Sequence, residues 1–111
     1  MCGIVGYFDY QRLDFQLSSE KFDPMIDSLS HRGPDGRGSH QEPGIGLGHR
    51  RLAILDVGGD RAGQPMKVEE RGVWLTYNGE IYNYRELKKE LASLGHNFHT
   101  TSDTEVLLHS Y

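Results

Sequence analysis

The sequence predicts a small domain that mixes α-helix and β-strand in a single unit, an α+β fold. Three observations carry this. Apolar runs at residues 4–8, 45–55 and 73–77 have the length and composition of strands. Residues 23–29 and 83–94 are amphipathic and open with helix-start signals. The 111 residues, 36% of them hydrophobic, suffice for one core, and no repeat, low-complexity block or Pro-rich linker divides them.

Taken in order, residues 4–8 read as a buried strand. A helix is expected from Asp23, which can cap it, with Pro24 at the first helical position, where a missing N–H is no loss. Phe22, Met25, Ile26 and Leu29 then fall on one face. Residues 31–38, with three Gly and one Pro, read as a loop. Residues 45–55 read as a strand whose end is apolar on both faces, since Leu52 and Ile54 alternate with Ala53 and Leu55. Residues 56–65 read as a second Gly-rich loop and 73–77 as a third strand. The clearest helix is 83–94. Asn83 and Glu86 have capping-box spacing, Gly95 follows the end, and Tyr84, Leu87, Leu91 and Leu94 form its stripe. Residues 98–101 are expected to be a strand. Ser102 and Glu105 form a second capping-box signal with Asp103 in the first turn, and the apolar run Val106-Leu107-Leu108 reaches Tyr111 with no C-cap.

Composition excludes several classes. The net charge is −4 and neither half is basic, so no nucleic-acid partner is expected. No run approaches the ~18 apolar residues of a membrane span, and no basic segment leads into an apolar one. A cytoplasmic location without membrane contact is the expectation. One Cys excludes an internal disulfide framework and a Cys-rich zinc site, and none of the six His has zinc-ligand spacing. No metal is expected, and the His read as structural or surface residues. There is no P-loop motif, and the glycines after His31 fit no dinucleotide fingerprint.

Four positions can carry chemistry. If Met1 is removed, Cys2 has a thiol and a free α-amine close together, a nucleophile beside its own base; the alternative is an inert thiol at a strand start. Arg50 and Arg51 enter a strand, where successive side chains point to opposite faces, so one of them can grip a substrate carboxylate bidentately; the alternative is a surface ion pair. Asn78-Gly79-Glu80 follows a strand. It can make a tight turn, or it can aim the Asn amide and the Gly N–H at a developing oxyanion. Asp103 is either a favourable first-turn charge or a carboxylate for a substrate ammonium group.

Together these pieces resemble the class II glutamine amidotransferases, whose glutaminase domain carries an N-terminal nucleophile. The residues are Met1-Cys2-Gly3-Ile4, His31-Arg32-Gly33-Pro34-Asp35, Gly48-His49-Arg50-Arg51-Leu52, Tyr77-Asn78-Gly79-Glu80-Ile81-Tyr82-Asn83 and Thr101-Ser102-Asp103-Thr104-Glu105. They occur in family order and span nearly the whole chain. The His-Arg-Gly-Pro-Asp loop is the version of the asparagine-forming branch.

The resemblance implies a four-layer α/β/β/α sandwich, here incomplete, with residues 1–111 as the N-terminal part of a glutaminase domain. It implies that Cys2 hydrolyses L-glutamine through a thioester and that Asn78 and Gly79 form the oxyanion hole. Arg51, selected over Arg50 by the Leu that follows it, would hold the α-carboxylate. Leu52, Ala53, Ile54 and Leu55 would line the pocket partly through their backbone, and Glu80 and Asp103 would bind the α-amino end. No cofactor is implied for this step. The ammonia would pass to an ATP- and magnesium-dependent synthetase domain in the same full-length chain, which converts aspartate to asparagine, and a homodimer is compatible with this. The rival readings are a family member with a different ammonia acceptor and a non-catalytic glutamine-sensing module.

Overall fold

The structure is a computed structural model that describes residues 1–53 and 63–111. Its elements run β1 (Gly3–Phe8), α1 (Ser19–Asp27), β2 (Gly36–Glu42), β3 (Ile45–Arg51), β4 (Met66–Val68), a 3-10 turn (Glu69–Arg71), β5 (Val73–Leu75), α2 (Tyr84–Ser93) and α3 (Asp103–Ser110). Among the described residues, three strands form an antiparallel sheet in the order β1-β3-β2, and β4 and β5 form a separate antiparallel hairpin.

The first strand forms where expected but is not buried on both sides. Gly3 is buried and Val5 and Tyr7 half-buried, whereas Ile4, Gly6 and Phe8 are exposed. α1 covers the former face. Phe22 and Ile26, one helical turn apart, are fully buried there, and the Phe22 ring meets Tyr7 edge-on at 5.5 Å between centroids. The sheet makes room by giving up a side chain. A Cβ on Gly48 of β3 would lie 2.5 Å from Ile26 Cγ1 and 2.9 Å from Val5 Cγ1. Arg37 of β2 ties the outer side of α1 down, with Nη2 2.6 Å from Asp23 and Nε 2.9 Å from Asp27.

α1 starts earlier than its Pro suggests. Ser18, not Asp23, is the N-cap residue, and Pro24 lies inside the helix. Pro24 removes one intrahelical donor. The buried Phe22–Ile26 pair and the Asp23 and Asp27 ion pairs to Arg37 hold the helix across it. Met25 is more than a third exposed, so the predicted four-residue face narrows to Phe22, Ile26 and the half-buried Leu29.

β2 has no apolar alternation, and its first three residues, Gly36-Arg37-Gly38, fall in the stretch expected to be a loop. It is a strand because β3 supplies a ladder partner for every residue from Gly36 to Glu42. Pro43-Gly44 closes this hairpin, and Gly44, at φ 86°, takes a conformation that costs Gly little. The predicted strand at 45–55 ends at Arg51. Leu52 and Ala53 continue it irregularly, and Ile54, Leu55 and most of the 56–65 loop lie outside the described residues.

The β4–β5 hairpin has two different faces. Met66, Val68, Val73 and Leu75 pack with Leu108 of α3. Trp74, on the alternate face, stacks on His40 of β2 at 3.4 Å between centroids. Thr76, two residues on, accepts or donates a 2.8 Å hydrogen bond with Nδ1 of His49 on β3. The hairpin therefore lies between the first sheet and α3.

α2 forms as expected and packs on α3. It ends in a Schellman motif, with the Gly95 and His96 amides donating to the carbonyls of Ala92 and Leu91 at 3.1 Å and Gly95 at φ 98°. Asn83 makes no side-chain cap bond, and the expected stripe is only half-buried at Tyr84, Leu87 and Leu91, with Leu94 exposed. Residues 98–101 are not a strand. Their amides are taken by a side chain: Glu105 accepts from the amides of His99 and Thr100 at 2.7 Å and from the Thr100 hydroxyl at 2.6 Å. Ser102 does cap α3, accepting from the Thr104 amide at 3.1 Å, while Glu105 turns to residues 99–100 instead of closing the capping box.

Candidate active site

A cavity of about 310 Å³ opens where the end of β3, the segment after β5 and the start of α3 meet. Its walls include Cys2, Arg51, Leu52, Asn78, Gly79, Glu80 and Asp103, brought together from four parts of the chain. Ala53 is not among the lining residues, and Ile54 and Leu55 lie outside the described residues.

Cys2 precedes β1 and is half-buried. Its thiol donates to the Leu52 carbonyl at 3.6 Å, and its Sγ accepts from the Leu52 amide at 3.3 Å. The Arg32 Nε donates to the Cys2 carbonyl at 3.1 Å. Both the side chain and the backbone of Cys2 are thus held, one by the end of β3 and one by the His31–Asp35 loop.

That loop is tied to β3 and the residues that continue it. The Asp35 amide donates to the Arg51 carbonyl at 2.9 Å, and Asp35 Oδ2 accepts from the Ala53 amide at 2.8 Å. The strand's alternation separates the two arginines. Arg51 faces the cavity, whereas Arg50 donates from Nε to the Gly33 carbonyl at 3.0 Å and lies 3.9 Å from Asp27, away from it.

In the same lining, Asn78, Gly79 and Glu80 form an arch between two anchored amides. The Tyr77 amide donates to Gln64 Oε1 at 2.6 Å, and the Ile81 amide donates to Asp103 Oδ2 at 2.9 Å. Asp103 is 6% exposed, so one of its oxygens is committed to the arch. Burial, and then the nearby carboxylates of Asp103 and Glu80, hold the Tyr77 phenol above its ordinary pKa. The carboxylates of Asp103 and Glu80 and the guanidinium of Arg51 thus line the same cavity.

The cavity also contains residues that motif reasoning did not single out: Gln64, Tyr77, Tyr82, Ser102 and Thr104. Tyr77, Tyr82, Ser102 and Thr104 sit inside the matched motifs and could have been found by adjacency. Gln64 lies at the end of a Gly-rich loop, where nothing in its spacing marks it.

His49 lies on the same β3 face as Arg51 and is 1% exposed. Burial, and then the Arg51 charge, push its pKa down to about 4, so the ring is neutral. Among the described residues its Nε2 has no hydrogen-bond partner. A proton on Nδ1, donated to Thr76, leaves only a lone pair at that position.

The chain belongs to the glutamine amidotransferase domain family, whose model matches residues 1–111. The relatives narrow it. Asparagine synthetase [glutamine-hydrolyzing] 3 of Bacillus subtilis is 50% identical over the whole chain, asparagine synthetase [glutamine-hydrolyzing] 1 of the same organism 45%, and asparagine synthetase [glutamine-hydrolyzing] of Brassica oleracea 40%. The chain spans only 18%, 17% and 18% of those proteins' lengths. No helix among the described residues is long and apolar enough to cross a membrane.

Proposed function

We propose that this chain is the N-terminal part of a glutaminase domain that hydrolyses L-glutamine with Cys2 as nucleophile. The observation that supports it most is the composition of one cavity: Cys2 lines it together with a cation, Arg51, with the Asn78–Glu80 arch and with the carboxylate of Asp103. An α-amino acid carries a carboxylate and an ammonium group, and this lining offers a partner for each.

After removal of Met1, the Cys2 α-amine takes the thiol proton. The thiolate attacks the side-chain amide carbon of glutamine, forming a C–S bond and an oxyanion. The Asn78 side-chain amide and the Gly79 N–H stabilise that oxyanion. Collapse breaks the C–N bond, and the proton held by the amine leaves with ammonia. Water, deprotonated by the same amine, then attacks the γ-glutamyl thioester and regenerates the thiol with release of glutamate. Arg51 binds the α-carboxylate, backbone groups of residues 52–55 complete the pocket, and Glu80 and Asp103 bind the α-ammonium group.

The relatives support the acceptor. In this reading the ammonia passes to a synthetase domain of the full-length chain, which uses ATP and magnesium to convert aspartate to asparagine; no step of the glutaminase reaction draws on either. The order α1, first sheet, hairpin, α3 supports a four-layer α/β/β/α sandwich that later residues complete. The reading keeps the enzyme in the cytoplasm and allows a homodimer.

The two arginines test it. In the full-length protein, Arg51→Ala is expected to raise KM for glutamine by about 10²-fold or more, because a charged hydrogen-bonded pair is lost. Arg50→Ala is expected to change it little. Equal effects in a steady-state glutaminase assay would reject the assignment of Arg51.

A further inference from the structure

We propose that Gln64 is a positioning residue that holds the Asn78–Gly79 arch at its working distance from Cys2; this rests on the glutaminase reading above. Gln64 is 9% exposed and lines the cavity. Its Oε1 accepts from the Tyr77 amide at 2.6 Å, and its Nε2 donates to Thr104 Oγ1 at 3.3 Å. The orientation of the carboxamide follows from chemistry. The Tyr77 N–H can only donate, so the atom facing it is the oxygen and the NH₂ group faces Thr104.

The arch thus has two ties to α3. Asp103 holds its far end directly through the Ile81 amide, and Gln64 holds its near end through Thr104, the next residue. Gln64 is itself seated by backbone packing. A Cβ on Gly38 of β2 would lie 1.9 Å from the Gln64 carbonyl oxygen, so glycine there lets the Gln64 backbone sit directly on the first sheet. One residue therefore joins the three: its backbone rests on the sheet, and its side chain links the arch to the first turn of α3. A hydrocarbon could fill the same space but could not accept from Tyr77 and donate to Thr104 at once. Because the Asn78 and Gly79 donors are proposed to act on charge that develops during reaction, their displacement should appear in kcat rather than in KM.

The test is steady-state glutamine hydrolysis by the full-length protein carrying Gln64→Leu, Thr104→Val, Thr104→Ser or the Gln64→Leu/Thr104→Val pair, with Cys2→Ala in parallel. Gln64→Leu should lower kcat by roughly 10- to 100-fold at nearly constant KM, the size expected when reacting groups shift by about an ångström. Thr104→Val should give a smaller loss of the same kind. Thr104→Ser, which keeps the hydroxyl, should recover the parent kcat, and the double variant should be no slower than Gln64→Leu alone. Parent-like kcat in Gln64→Leu, a change confined to KM, or failure of Thr104→Ser to recover would overturn the proposal. If Gln64→Leu does not fold, the two Thr104 variants decide it alone. Loss of hydrolysis in Cys2→Ala with parent-like Gln64→Leu overturns the clamp only. Hydrolysis that survives in Cys2→Ala overturns the glutaminase reading and the clamp with it.

Discussion

Beneath α1, Ile26 sits over Gly48 with no room for a methyl group, and Phe22 meets the Tyr7 ring edge-on. The cavity-lining residues 77–80 and 102–104, with the segments beside them, are held by side chains bonded to backbone amides: Gln64 to Tyr77, Asp103 to Ile81, Glu105 to His99 and Thr100, and Ser102 to Thr104. The first region depends on shape and apolar burial. The second depends on polar groups that, once buried, are costly to leave unmatched. The cavity is built on the second plan, held by paired polar groups.

The comparison can be broken first at Glu105, which is 4% exposed. Glu105→Leu leaves the His99 and Thr100 amides without an acceptor. At roughly 1–3 kcal/mol for each unsatisfied donor, a local loss of about 2–6 kcal/mol is expected. Faster hydrogen exchange at 99–105 in the full-length protein would report it, with α1 unaffected. The matching test on the shape-dependent side is Gly48→Ala, where the added methyl must displace Ile26 and Val5, at an expected cost of roughly 1–3 kcal/mol. Exchange should then rise in α1 and β3 and not in the cavity wall. If either substitution loosens both regions equally, the two are one cooperative unit and the distinction fails.

The smallest effect concerns His49, at the seam between the regions. Its folded pKa of about 4 lies below the ordinary 6.5, so below pH 6.5 the unfolded chain takes up a proton that the folded chain refuses. Stability is fully present above pH 6.5, falls as pH drops through this window and levels off below about 4. At pH 5.5 the expected loss is about 1 kcal/mol. An NMR titration of the His49 ring should show no protonation down to pH 5; a midpoint near 6.5 would contradict the buried, neutral assignment.

Legibility in the sequence followed the same division. Periodicity found β1, β3, β5 and α2 because apolar spacing reports burial. It missed β2, whose Gly36–Glu42 segment carries no such pattern and is a strand only through its pairing with β3. It misread 98–101, where Glu105 takes the amides that a neighbouring strand would have used. The Pro rule displaced the start of α1, because tertiary contacts at Phe22, Ile26 and Arg37 outweigh one missing bond. The cavity was more legible than its supports. Cys2, Arg51, Asn78, Gly79, Glu80 and Asp103 were named from motifs and line one cavity, whereas Gln64 was invisible because its importance lies in three partners distant along the chain.

The most direct test of the account is what glutamine leaves on Cys2. Full-length protein mixed with glutamine, quenched in acid and digested should yield an N-terminal peptide that begins at Cys2, lacks Met1 and carries a glutamyl group on the thiol. Cys2→Ala should show neither the adduct nor hydrolysis. An adduct on another residue, Met1 retained in fully active protein, or undiminished hydrolysis by Cys2→Ala would contradict the account.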